Sequence, residues 1–97
     1  MPESIYEYKQ SDNGYLIELR IIKVKKDENF PEGIKYSLVA IEKKTGRRIL
    51  GFDNERGKGH HMHRLGRELH YEFKDEWALI GDFYIEYEKI KRRLLKR

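Results

Sequence analysis

Three of the chain's four histidines fall within four positions, at His60, His61 and His63. They follow Gly57-Lys58-Gly59 and are flanked by Arg56 and Arg64. Imidazole has an unperturbed pKa of about 6.5, so at neutral pH one ring can accept a proton while another gives one. If the stretch is extended, alternate side chains point to opposite sides, which puts His61 and His63 together and His60 apart. A same-side pair with Lys58 and Arg64 nearby has the parts for phosphodiester cleavage. One histidine deprotonates a ribose 2′-hydroxyl, the other protonates the leaving 5′-oxygen, and the cations stabilise the charged phosphorane. Asp53 or Glu68 would orient an imidazole. His61, His63 and Asp53 are also an acceptable ligand set for zinc, nickel or manganese, which makes a metal-dependent nuclease the competing chemistry. The metal-free mechanism is preferred, and no cofactor is expected.

Gly57 and Gly59 tolerate positive φ, and consecutive amides in such a loop can form an anion-binding nest. The run is not a nucleotide-triphosphate loop, because the spacing is wrong and no Ser or Thr follows Lys58. Asp53-Asn54 reads equally as a turn-forming pair after a strand. A non-catalytic alternative uses the same residues as a recognition surface. Arg56, Lys58, Arg64 and Arg67 would then grip a polyanion or an acidic partner, and Tyr71 would stack on a base. Tyr36 and Phe52 could stack in the same way, and core packing is the better use of all three aromatic residues.

The elements that must position these groups are strands followed by a helix. Ile5 to Lys9 is a short apolar-rich run that ends in Ser11-Asp12-Asn13-Gly14, and Asn-Gly between two such runs is a strong hairpin signal. In Tyr15 to Val24, Tyr15, Ile17, Leu19 and Ile21 alternate with Glu18 and Arg20, the period of a half-buried strand. Lys25 to Gly33 reads as a loop. Ile34 to Glu42 and Arg47 to Phe52 read as strands around the turn Lys43-Lys44-Thr45-Gly46. Leu69 to Phe73 would be a fifth short strand. From Asp75, the residues Trp77, Ile80, Tyr84, Tyr87, Lys91 and Leu94 step by three or four, with Phe83 and Ile90 widening the stripe. That predicts an amphipathic helix of about 20 residues capped by Asp75. The expected fold class is α+β, with an antiparallel meander of four to five strands covered by one C-terminal helix. The stretch from Asp53 to Glu68 fits neither period.

Ninety-seven residues suit one domain, 1–97, with one core and no deep cofactor cleft. Zero cysteines exclude a disulfide framework and a thiolate zinc site. No run approaches the roughly 20 apolar residues of a membrane span, and the first residues carry no apolar export signal. A cytoplasmic protein without membrane contact is therefore expected. The net charge of +4 is uneven. Residues 35–67 carry nine Lys/Arg against three Asp/Glu, residues 68–88 carry one against seven, and residues 89–97 carry six against none. A polyanion would meet two basic blocks rather than the average. The second block sits where helix-dipole complementarity also favours cations.

Phe52-Asp53-Asn54, Gly57-Lys58-Gly59, His61 and His63, Gly66-Arg67-Glu68 and Tyr71-Glu72-Phe73 together resemble the signature of the TumE-like family, small proteins encoded in prokaryotic toxin–antitoxin loci. Ile34 to Leu38 and Arg48 to Gly51 fit the same pattern, so the resemblance spans Tyr15 to Tyr87. It implies a toxin paired with a helix-turn-helix antitoxin protein. Joined to the histidine chemistry, it points to a ribonuclease acting on RNA with His61 and His63 as acid and base. Lys58 and Arg64 would bind phosphate, helped by Arg56, Arg67 and Tyr71. An exposed edge on an aromatic-rich sheet is also a route to a homodimer.

Overall fold

The computed structural model describes residues 3–55 and 58–96. Six strands, β1 (Glu3–Asp12), β2 (Tyr15–Lys23), β3 (Ile34–Glu42), β4 (Arg47–Glu55), β5 (Gly59–Arg64) and β6 (Arg67–His70), precede one helix, α1 (Glu76–Leu95). The strands form one sheet in the order β1-β2-β3-β4-β5-β6, each antiparallel to its neighbour. The α+β class and the meander are as expected, but the sheet has six strands rather than four to five. The difference lies in the histidine stretch, which is β5, with its return strand β6 beginning at Arg67. Asp53 and Asn54 accordingly lie inside β4 and not in a turn.

Turn chemistry fixes the register. Asn13 and Gly14 both have positive φ, 46° and 100°, which matches the right-handed twist of the flanking strands and pairs Asp12 with Tyr15. Leu65 and Gly66 do the same between β5 and β6, at φ 48° and 83°. A leucine at positive φ is uncommon, and its amide is held by the Ile49 carbonyl at 3.0 Å.

Alternation then sorts the strands into two faces. Ile17, Leu19 and Ile21 of β2, Tyr36, Leu38 and Ala40 of β3, and Leu50 and Phe52 of β4 are buried against α1. Each Ile, Leu and Phe among them contributes about 1.5–3 kcal/mol of transfer free energy relative to an exposed side chain. The helix begins at Asp75, whose carboxylate accepts the Ala78 amide at 2.7 Å. Its buried stripe is Leu79, Phe83, Tyr87 and Ile90. The stripe is rotated from the expected one, since Trp77 is 66% exposed while Leu79 is fully buried. Ile80, Tyr84 and Leu94 pack at its margins.

The helix is tied to the far end of the first hairpin. Tyr87 Oη donates to Asp12 Oδ2 at 2.5 Å, and Lys91 Nζ reaches the same oxygen at 3.0 Å. These bonds hold the Asp12 carboxyl below its ordinary range and the Lys91 ammonium above its own. Among the described residues no helix is long and apolar enough to cross a membrane.

Candidate active site

The register of β4, β5 and β6 decides which groups share a face. Phe52 pairs with Met62 and Asn54 with His60, on the helix side. Gly51 pairs with His63 and Asp53 with His61, on the opposite, open side. Continuing outward, His61 pairs with His70 and His63 with Glu68. Asp53, His61, His63, Glu68 and His70 therefore project from one face, because strand side chains alternate and register places like parities together.

On that face His61 and His63 each have their own carboxylate. His61 Nδ1 lies 3.3 Å from Glu68 Oε1, and His63 Nε2 lies 3.6 Å from Asp53 Oδ2. Both contacts run diagonally between adjacent strands. The His63–Asp53 pair is three-quarters buried on each side. His61 is further confined, as its Nε2 is closed off from solvent and has no hydrogen-bond partner among the described residues. With Nδ1–H directed at Glu68, Nε2 is the ring's free acceptor. Leaving a buried acceptor unpaired costs about 1–3 kcal/mol, a cost that a histidine kept only for packing avoids. Among the described residues no three His, Asp or Glu side chains converge as a metal-binding set.

His60, one residue earlier, is on the other side and in different company. Its ring stacks on Phe73, with centroids 4.8 Å apart and an interplanar angle of 4°, while Tyr36, 5.7 Å from each of those rings, meets it at the edge. Tyr36 Oη meets Nδ1 at 2.8 Å, and Nε2 lies 3.2 Å from Glu32 Oε2. Because Nε2–H faces the Glu32 carboxylate, Nδ1 of the neutral ring is an acceptor and the Tyr36 hydroxyl is its donor, a phenol that burial pushes well above its ordinary range. Beside it, Asn54 is buried with its amide spent on backbone, accepting from the Tyr36 amide and donating to the Ile34 carbonyl.

The remaining sequence candidates scatter. Lys58 stands in the β4–β5 turn, exposed and paired with Glu55 at 3.3 Å. Arg64 has the parity of His60 and Met62, and its Nε reaches across to Glu86 of α1 at 3.0 Å. Arg67 pairs with Arg64 in register and shares that side, exposed. Tyr71 lies on the helix side too, edge-on to Phe52 and donating its hydroxyl to Asp82 at 2.6 Å. That bond and burial raise its phenol pKa. Arg56 and Gly57 lie outside the described residues, and the proposed glycine-lysine-glycine nest falls there with them.

Two residues that sequence reasoning passed over do reach the open face. Ser37 of β3 pairs with Asp53 in register. Arg48 arrives there through a bulge, where the β3–β4 register shifts between Ala40 and Ile41. Ile49 and Leu50 are both buried at that bulge, at 2% and 0% exposure, while Arg48 is exposed. Its side chain lies over Gly51, such that a Cβ there would meet Arg48 Cδ at 3.2 Å and Nη1 at 3.5 Å. The signal for Ser37 was alternation along β3. No signal marked Arg48, because a bulge inverts parity.

A sequence model of one protein family, described as toxin TumE, matches residues 3–94, almost the whole described chain and every residue of the site. The chain belongs to the TumE toxin family. Membership in a toxin family implies an antitoxin partner in general. Neither the curated proteins nor the solved structures searched contain a match.

Proposed function

We propose that this chain is the toxin component of a toxin–antitoxin pair and that it cleaves RNA by general acid–base catalysis at His61 and His63. The observation that carries the proposal is the presence of two imidazole–carboxylate pairs side by side on the open sheet face, at 3.3 and 3.6 Å. His61 is the base. Glu68 holds its Nδ1–H, which leaves Nε2 to take the proton of a ribose 2′-hydroxyl. The 2′-oxygen attacks phosphorus as the bond from phosphorus to the 5′-oxygen breaks. His63, which faces Asp53, gives its proton to that leaving oxygen. Because Nε2 is secluded, a ribose hydroxyl reaches it by displacing the side chains around it. An open face suits a polymeric substrate, which needs no deep cleft. The antitoxin partner on this reading is a helix-turn-helix protein.

The test is cleavage of single-stranded RNA by purified protein and by His61→Ala and His63→Ala. General acid or base catalysis is worth about 10²–10⁴-fold per group, so each variant should lose at least 100-fold while keeping its circular dichroism and melting transition. The rate should follow a bell in pH, since the base must be neutral and the acid protonated. Cleavage at the wild-type rate by both variants contradicts the mechanism. Salt-sensitive RNA binding without turnover at any pH supports the binding-module alternative.

A further inference from the structure

A phosphodiester substrate needs cations that are not already neutralised by the protein. On the open face of the sheet, most are neutralised. Lys9 faces Glu18 at 3.5 Å and Arg20 faces Glu7 at 3.2 Å. Lys58 is engaged by Glu55. Among the described residues, two cations of this face have no carboxylate partner, Arg48 and Lys35. Lys35 is exposed, two positions along β3 from Ser37, so it shares the face of Asp53.

Their placement relative to the histidines follows from register. Gly51 is the partner of His63, and the Arg48 guanidinium lies over Gly51. Ser37 is the partner of Asp53, which is itself the partner of His61. Moving along the strands, the rows thus read Arg48 with His63, then Ser37 with His61, then Lys35. Same-face rows are about 7 Å apart, two residues at roughly 3.4 Å each. That separation is comparable with the step between phosphates in an extended nucleic-acid strand.

We propose that Arg48 and Lys35 form a phosphate track that brackets the His61 and His63 pairs and binds the backbone of single-stranded RNA on either side of the cleaved linkage. The inference rests on the reading of this face as an RNA-cleaving site. Gly51 is part of the device, since a Cβ there would press on Arg48 Cδ at 3.2 Å and shift the side chain from its place beside His63. Ser37, between the two cations, offers a hydroxyl to the same backbone.

The experiment uses the whole chain and a single-stranded RNA oligonucleotide carrying 2′-O-methyl sugars throughout, which this mechanism cannot cleave. Its affinity is read by fluorescence anisotropy over a series of salt concentrations. Each phosphate contact to a single strand adds about 0.7 to the slope of log affinity against log salt. Arg48→Ala and Lys35→Ala should each weaken binding several-fold and lower the slope by about that amount, and Arg93→Ala should do neither. Gly51→Ala retains every charge but displaces Arg48, so it should weaken binding in the same direction by less. Wild-type affinity and slope in both Arg48→Ala and Lys35→Ala overturn the track. So does a loss confined to Lys58→Ala and Arg64→Ala, no salt-sensitive binding at all, or capture of an acidic peptide in place of the oligonucleotide. Binding is read apart from turnover. Should His61→Ala and His63→Ala still cleave RNA while Arg48→Ala and Lys35→Ala bind weakly, the histidine mechanism falls and the track stands.

Discussion

His60 and His61 are adjacent in sequence, and each has a glutamate within 3.3 Å, yet the two are built for different ends. His60 has both ring nitrogens engaged, by Tyr36 and Glu32, and its ring stacked on Phe73. His61 has one nitrogen engaged and one left without a partner among the described residues. The lesson is that histidine density in a sequence carries little information until the pleat has divided it. A saturated imidazole stiffens the fold, whereas an unsaturated one keeps an acceptor for a substrate that displaces the side chains over it.

Breaking the comparison from the His61 side has the largest expected effect. Glu68→Gln keeps the shape of the side chain but removes the charge that fixes the His61 tautomer. Turnover of RNA should drop about 10-fold or more, with the melting temperature within a degree or two of wild type, because exposed ion pairs contribute little to stability. An unchanged rate would show that Glu68 is only a surface partner.

From the other side, His60→Ala should act on stability and not on chemistry. It leaves the buried Tyr36 hydroxyl unpaired and empties an aromatic stack, a loss of about 2–4 kcal/mol from the two effects together. Denaturant titration checks this. A variant that folds with wild-type stability but fails to cleave RNA would reverse the roles assigned to the two histidines.

How much of this was legible in the sequence depends on which period the residues obey. The first hairpin was legible because Asn13-Gly14 has the backbone freedom that the turn demands and Tyr15 to Ile21 alternate cleanly. The helix was legible in length and cap, but its buried stripe was displaced, since large Trp77 drew the pattern away from Leu79. Strand β5 was hidden because His-His-Met-His-Arg has no polarity contrast between its faces. The contrast that exists, an aromatic cluster around His60, is made by Tyr36 and Phe73 from elsewhere in the chain. That His61 and His63 share a face followed from the period of two, and the same period puts Arg64 on the other side. Arg48 was out of reach for a different reason. Even-numbered positions 50 and 52 of β4 face the helix, and only the bulge at Ile49 turns Arg48 outward.

A smaller effect is expected far from either histidine, at the tie between α1 and the first hairpin. Asp12 is held below its ordinary value of 3.8 by hydrogen bonds from Tyr87 and Lys91. A depressed carboxyl pKa contributes stability that is present above the ordinary value and lost as pH falls through the folded-state value. Lys91, raised above its ordinary 10.5 chiefly by the bond to Asp12, contributes stability that is present below that value and lost as pH rises through the folded-state one. Tyr87→Phe should cost about 1 kcal/mol near neutrality and flatten the acid limb of melting temperature against pH, with no effect on the pH dependence of RNA cleavage. A shift in the cleavage profile would link this tie to the site, against the separation argued here.

The central claim is that His61 and His63 cleave RNA through the ribose 2′-hydroxyl. Its most direct test is the chemistry of the cut ends, with one 2′-deoxy sugar placed at the preferred linkage as control. The account predicts fragments ending in a 2′,3′-cyclic phosphate and a 5′-hydroxyl, and no cut at the deoxy position. Fragments ending in a 3′-hydroxyl and a 5′-phosphate, or cleavage at the deoxy position, would contradict it.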